Sequence, residues 1–541
     1  MVDDKNYVYK SIASSVVDHG YDTMFGLMGD ANLFMVDHYV RSCGGKFVPV
    51  AFEGSAVLMA LAYSKISGRV GIATVTHGPG FTNCITALTE GARDHIAMVL
   101  LCGDTPIMNA QNLQNIDQRE LAKAAGVGFE QMRSPKTATR DIASAFYRAR
   151  VEKRPIVLNM PADFMWEEVE HEAVVYRVFD DPATILEGDN LDEAIGIIAS
   201  AKRPVILAGG GAIGAREQLI SLADRLEAPL ATTLKAKGLF NDHPYNMDIF
   251  GTLSTPAAYG VIANCDCIVS FGASLHHFTT DNGALMKGKR VVQINNDAAE
   301  ICKNYHPDAA LRADAALTAN NIIYWLNEAE IPSSGFTHEL NKETLTAHTP
   351  SQKKTKSEYV NFVGTLERLE QALPKNRILA TDGGRFMTEV WCRISVPDPK
   401  SFLVSVSFGS IGLGLQQAIG ASIAVPDRPV VLFTGDGGFM MGGLNEFNTA
   451  VRLKQDIITI VCNDSAYGAE HIQFVDRNMD PGLSQFEWPS FAGLANALGG
   501  RGIQVRSEEE LEVAIAAIEK RDRPLLIELL LDPNDVPRMR V

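Results

Sequence analysis

Two short turns in the last third of the chain carry the residues best suited to chemistry. Gly435-Asp436-Gly437-Gly438 follows the apolar run Val430 to Phe433, and Asn463-Asp464 follows the apolar run Ile457 to Cys462. Each puts a side-chain oxygen where a strand ends, the edge of an open α/β sheet at which ligands bind. The glycines let backbone amides approach a phosphate, and the helix that follows turns its N-terminus toward the same anion. A carboxylate beside a phosphate repels it unless a cation stands between them. Mg²⁺ or Ca²⁺ meets that need with hard oxygen ligands drawn from protein and phosphate together. Asp and Asn also cap ordinary turns, but paired turns at this spacing favour a site for one cation and one diphosphate.

The elements that must position these turns are short apolar strands alternating with helical segments, the pattern of parallel α/β layers. A chain of 541 residues is too long for one core. A first block, 1–170, closes on "RPIVLNMPADFM"; a second, 185–328, contains "RPVILAGGG", "CDCIVSFG" and "KRVVQINN". The stretch 329–358 is rich in Ser, Thr, Lys and Pro and reads as a linker. A third block, 359–541, restarts the α/β pattern and carries the strand "RPLLIELLL". The phrases "RPIVL", "RPVIL", "RPVVL" and "RPLLI" point to strands that begin alike.

Composition narrows the function. With 46% hydrophobic and 21% charged residues the chain is of globular type, and its formal charge of −16 argues against a nucleic-acid surface. Local backbone amides still bind a small anion inside an acidic protein. The start, "MVDDKNYVYKSIASSVV", has acids and no apolar core of a signal peptide, and no run of about eighteen apolar residues suggests a membrane span. The eight cysteines are scattered through apolar strands, with Cys265 and Cys267 the one close pair. That suits core thiols in a reducing cytoplasm.

Gly-Asp-Gly, a long helix–strand spacer and an Asn-Asn position make up the motif of thiamine diphosphate enzymes. Over nearly its whole length the chain resembles the acetolactate synthase, benzaldehyde lyase and benzoylformate decarboxylase group. In that family the aspartate, the second asparagine and a main-chain oxygen two residues later hold the metal. Counting from Asp436 lands on Asn463, whereas the aromatic-Gly pair Tyr467-Gly468 lines up only if Asp464 is the second position. One extra residue within "MMGGLNEF", before Glu446, reconciles the two. The resemblance thus implies Asp436, Asp464 and the carbonyl of Ala466 as Mg²⁺ ligands, with Asn463 the alternative. Gly435, Gly437, Gly438, Asn463, Tyr467 and Gly468 would surround the cofactor.

Other segments match the family in turn. In "VPVAFEGSAVLMALAYSKISGRVGIATVTHGPGFTN", Glu53 takes the place of the glutamate that contacts the aminopyrimidine ring, with Phe52 where many relatives have His. Enclosure by Phe52 and Val57 would raise its pKa and suit proton exchange at neutral pH. His77 precedes the Gly-Pro-Gly loop where most acetolactate-synthase-like chains have Ser or Ala, and is placed to shuttle protons. Gln114 in "NLQNIDQ" fits a pocket glutamine. "ATDGGRFMTEVW" matches a diphosphate loop through Gly383, Gly384 and Arg385, with Arg385-Phe386 where relatives often have Gln-His. In "SFGSIGLGLQQAIGAS", Gly409 and Ser410 lead to Ile411, the apolar residue that would prop the cofactor in a bent conformation. Glu470 and His471 would cover the substrate, and His276 and His277 would reach the site from the middle block.

The resemblance implies three doubly wound α/β domains: pyrimidine-binding, central Rossmann-like and diphosphate-binding. The cofactor would lie between the N-terminal domain of one subunit and the C-terminal domain of another, so a homodimer is the minimum and a homotetramer is expected. FAD is not expected, because "LAGGGAIGAREQ" is no dinucleotide fingerprint and "FGASLHHFTTDNG" replaces the flavin-binding segment of the synthases. The expected activity is a 2-oxo acid decarboxylase or carboligase of the acetolactate-synthase-like type, through a C2 adduct and an enamine. An acyloin or 2-hydroxyacyl lyase like benzaldehyde lyase is the alternative, and a cofactor-binding homologue without turnover is a third reading.

Overall fold

The structure, a computed structural model, describes residues 5–109, 111–179, 188–349 and 358–535. Three six-stranded sheets organise it, and every strand pair is parallel. The first holds β1 (Thr23–Gly26), β2 (Lys46–Pro49), β3 (Gly71–Val75), β4 (Met98–Asp104), β5 (Gly128–Gln131) and β6 (Pro155–Pro161), in the order β2-β1-β3-β4-β6-β5. The second holds β7 (Pro204–Ala208), β8 (Leu230–Thr232), β9 (Asn246–Ile249), β10 (Cys267–Phe271), β11 (Arg290–Asn295) and β12 (Ala309–Arg312), in the order β12-β11-β10-β7-β8-β9. The third holds β13 (Ile378–Thr381), β14 (Phe402–Val404), β15 (Val430–Gly435), β16 (Ile457–Asn463), β17 (Arg501–Val505) and β18 (Leu525–Leu530), in the order β14-β13-β15-β16-β18-β17. The outer sheets share one topology, and the middle sheet has the Rossmann order.

The four Arg-Pro phrases are β6, β7, β15 and β18. Proline stands at or just before the first strand residue, where no ladder N–H is lost. Apolar side chains on both strand faces meet helices on both sides, as a parallel sheet requires.

Helices Glu53–Ser67 and Gly414–Ala424 pack against each other and are buried on nearly all sides. They lie in one core shared by the first and third domains. Two acids reinforce that junction. Glu446, wholly buried, accepts the amide of Ala51 at 3.0 Å. Glu90 accepts the amides of Ser407 and Phe408 at 2.9 and 2.6 Å. The middle domain has its own core and meets the others at several points, among them Lys235, which bonds Asp94 at 2.6 Å, and Asn241, which donates to the Val396 carbonyl at 2.7 Å.

The stretch read as a linker does not hang free over its first part. Phe336 and Leu345 are buried in a core cluster of the middle domain, and Thr255 donates to the Leu345 carbonyl at 2.5 Å. Its polar residues face outward while two apolar side chains anchor it, which composition alone hides. Residues 350–357 lie outside the described residues.

Candidate active site

In the third sheet β13 has β14 on one side and β15 on the other, so chain order reverses between β13 and β15. The crevice outside their carboxyl ends is a topological switch point, where open α/β sheets bind ligands. A cleft of about 3300 Å³ opens there and extends between the three domains. Gly383, Gly384 and Arg385 after β13 line it, as do Gly409 and Ile411. Gly435, Asp436, Gly437 and Gly438 come from the end of β15, and Asp464, Ala466, Tyr467 and Gly468 from the end of β16.

Asp436 begins a helical segment that contains one π-turn, Phe439–Gly443, before resuming as α-helix Leu444–Arg452. A π-turn spends one residue more than an α-turn. It falls in the segment where the spacing count puts the extra residue. Asp436 Oδ1 accepts the Gly437 amide at 2.8 Å. Its Oδ2 accepts the Ala466 amide at 3.2 Å and the Trp488 indole at 3.0 Å. Burial, then the neighbouring Asp464 carboxylate, push Asp436 up to about 7. Burial also raises Asp464, against the pull of Arg385.

Asn463 and Asp464 part company here. Asn463 turns into the sheet, donating to Glu528 at 2.9 Å and accepting from the Ser465 amide at 3.0 Å. It does not line the cleft, and Asp464 does. Ser465 then takes a left-handed φ of 54°, a conformation non-glycine residues seldom adopt. The pairing of Ala466 with Gln485 is an isolated bridge whose bonds come from the Tyr467 and Phe486 amides. The amide and carbonyl of Ala466 therefore point away from Gln485, on the side where the amide meets Asp436.

Asp382, buried and absent from the sequence-based site, organises the crevice. It accepts the amides of Gly383, Gly412 and Leu413 at 2.8, 3.0 and 3.3 Å and the Thr434 hydroxyl at 3.2 Å. It thereby ties the loop bearing Ile411 to the ends of β13 and β15. Ser410 does not line the cleft; its hydroxyl turns back to the Ile411 carbonyl at 3.2 Å.

The first-domain residues lie elsewhere. Glu53, His77 and Gln114 are absent from the cleft lining within this one chain. Glu53 opens helix Glu53–Ser67, and its Oε2 accepts from Asn83 at 3.0 Å. The expected enclosure by Phe52 is not formed within the chain. Extended backbone at Phe52 turns the ring outward, 41% exposed, while Val57 is buried in the helix interior. His77 follows β3 and is buried, 3.2 Å from the Thr76 hydroxyl. Burial lowers its pKa against the opposing carboxylates of Asp104 and Asp30. Gly78 has a φ of +58°, and a side chain there would meet the Gln114 carbonyl at 2.4 Å. Gln114 thus packs on the loop through its main chain. The glutamine whose side chain holds the loop is Gln118, accepting the Gly78 amide at 2.9 Å.

From the middle domain, His276 and His277 line the cleft with ring centroids 5.5 Å apart. Glu470 stands exposed at the cleft wall. His471 is buried away from it, against Asn534 at 3.2 Å.

Three family models match this arrangement domain by domain. The thiamine pyrophosphate enzyme N-terminal TPP binding domain matches residues 7–125, the central domain 191–322 and the C-terminal TPP binding domain 382–529. The chain belongs to the thiamine pyrophosphate enzyme family. It is a thiamine pyrophosphate-dependent enzyme that makes or breaks carbon–carbon bonds. A sulfoacetaldehyde acetyltransferase of Alcaligenes xylosoxydans xylosoxydans is 29% identical over 96% of this chain and 92% of its own length. A probable acetolactate synthase large subunit of Methanocaldococcus jannaschii is 27% identical over 97% of this chain and 92% of its own. A probable 2-ketoarginine decarboxylase of Pseudomonas aeruginosa is 26% identical over 96% and 93%.

The site fits the family's cofactor and a hard cation. The glycine turns after β13 and β15 line the crevice at the start of a helix, where a diphosphate binds in folds of this kind. Two converging carboxylates and a main-chain carbonyl form an all-oxygen donor set of the kind Mg²⁺ takes. Among the described residues no three His, Cys, Asp or Glu side chains converge.

Proposed function

We propose that this family member is a Mg²⁺-dependent 2-oxo acid decarboxylase or carboligase of the acetolactate-synthase-like type. The observation that carries the reading is the convergence of Asp436, Asp464 and Ala466 beside the glycine turns of one crevice. Asp436 and Asp464 would hold the metal with the Ala466 carbonyl. Gly383, Gly384 and Gly435 to Gly438 would leave room for the diphosphate beside them. Bound thiamine diphosphate supplies a nucleophilic carbon and an electron sink for a bond broken next to a carbonyl.

The remaining steps belong to side chains. Ile411, fixed through Asp382, would orient the cofactor between its two ends. Glu53 would hold the proton at the pyrimidine ring nitrogen, and His77 would move a proton at the substrate oxygen. Glu53 and His77 lie outside the cleft of their own chain, which favours a site completed by a second subunit. Exposed apolar side chains on both faces support that pairing: Phe52, Met108 and Leu113 on the first domain, Phe408 and Met441 on the third. We take the homodimer as the minimum and the homotetramer as the resting assembly. All eight cysteines are free thiols, in keeping with a reducing cytoplasm. No described helix is long and apolar enough to cross a membrane. The middle domain is taken to work without FAD.

The test is a donor screen on purified protein with thiamine diphosphate and Mg²⁺. Pyruvate, longer 2-oxo acids, acyloins and sulfoacetaldehyde are run in parallel. CO2 release from a 2-oxo acid supports the reading. Aldehyde release from acyloins alone makes the enzyme a lyase, and cofactor binding with no turnover on any donor makes it a non-catalytic homologue.

A further inference from the structure

The crevice contains an ion pair that a metal site does not require. Arg385, from the turn after β13, places Nη2 3.4 Å from Asp464 Oδ2 at the end of β16. Both side chains are nearly buried, 6% and 10% exposed. The same Nη2 donates to the Pro533 carbonyl at 2.6 Å. Gly468 makes the room: a side chain there would stand 2.8 Å from Asp464 Oδ2 and 3.4 Å from Arg385 Cβ.

The charges are unevenly placed. Asp436 is met by the Gly437 and Ala466 amides and the Trp488 indole. The Arg385 guanidinium stands against Asp464, in the glycine turn after β13 that lines the cleft. A buried carboxylate pair without a cation is unstable, and a guanidinium pairs equally well with a carboxylate or a phosphate. A metal ion that took Asp464 Oδ2 as ligand would compete with Arg385 for it.

We infer that Arg385 is a counter-ion shared between Asp464 and the diphosphate, so that metal and cofactor load cooperatively. The inference rests on the metal assignment proposed above and adds the coupling role of Arg385. Coupling of this kind is reciprocal: each ligand raises the affinity of the other by one factor.

The experiment measures Mg²⁺ affinity with and without thiamine diphosphate, and diphosphate affinity with and without a chelator, on the full-length protein. Arg385→Gln should bind Mg²⁺ roughly tenfold more tightly without cofactor, because the competing cation is gone. It should bind thiamine diphosphate more weakly and lose most of the coupling. Asp464→Asn should bind inorganic diphosphate more tightly in chelator, because the guanidinium is released. Arg385→Lys should retain part of the coupling. A merely structural arginine would weaken both ligands in Arg385→Gln, and that result, or unchanged coupling, overturns the inference. Should Arg385→Gln not fold, Asp464→Asn in chelator decides alone, with unchanged or weaker diphosphate binding overturning it. Asp436→Asn separates the underlying reading: full Mg²⁺ affinity in that variant sinks the metal site itself.

Discussion

The indole Nε1 of Trp488 donates to Asp436 Oδ2 at 3.0 Å, on the same oxygen that takes the Ala466 amide. The ring is held by Phe486, stacked at 4.8 Å, and Phe486 in turn meets Tyr467 edge-on at 4.6 Å. Groups that orient a ligand from behind typically change metal affinity by roughly 10–100-fold when removed. Trp488→Phe keeps the stack and deletes the N–H. We expect Mg²⁺ affinity to fall about tenfold by calorimetric titration. Unchanged affinity would reduce Trp488 to a packing residue.

Asp464→Ala should abolish metal-dependent cofactor retention, because it removes one of two converging carboxylates. Asn463→Ala should bind cofactor normally yet melt earlier, since Glu528 loses the amide donor it has at 2.9 Å. Cofactor titration by tryptophan quenching with and without Mg²⁺, alongside thermal melts, separates the two. The reverse pattern would move the metal to Asn463.

Glu53→Gln should retain fold and cofactor but slow exchange of the thiazolium C2 proton by roughly 10²–10⁴-fold, the usual range for a lost general acid–base. Exchange followed by NMR is the measurement. An unchanged rate removes Glu53 from the mechanism.

Burial holds the His77 imidazole below its ordinary 6.5. The unfolded chain therefore takes up a proton before the folded one does. Its stability contribution is full above pH 6.5 and is lost as pH falls through the lower folded value. The melting temperature of wild type minus that of His77→Gln should be flat above pH 6.5 and decline below it. A difference that grows on acidification would mean the folded protein holds the charged imidazole.

The C-terminal half of the site was legible because its residues sit in consecutive runs at strand ends, where position in sequence translates directly into position at the sheet edge. The strands were legible through their apolar runs and leading prolines. What stayed hidden acts across distance. Trp488 lies 52 residues from Asp436. Glu90 lies more than three hundred residues from the Ser407 and Phe408 amides it holds. Asp382 stood inside a quoted motif, but its role depends on amides that a separate loop brings to it. Gln114 lies in a turn and Gln118 opens the helix four residues on, and only their orientation against Gly78 tells which side chain holds the loop.

The π-turn at Phe439–Gly443 bears on how relatives of this protein are found. A helix that absorbs one residue in a single widened turn keeps both of its ends in place. Insertion or deletion of one residue there would leave the strand edges on either side in place, so the gap between the two turns need not be fixed. A pattern search keyed to a fixed gap stops at Asn463, a side chain that faces Glu528. A search keyed to the last residue of β16 and the aromatic-Gly pair beyond it reaches the cleft-facing Asp464 whatever the gap.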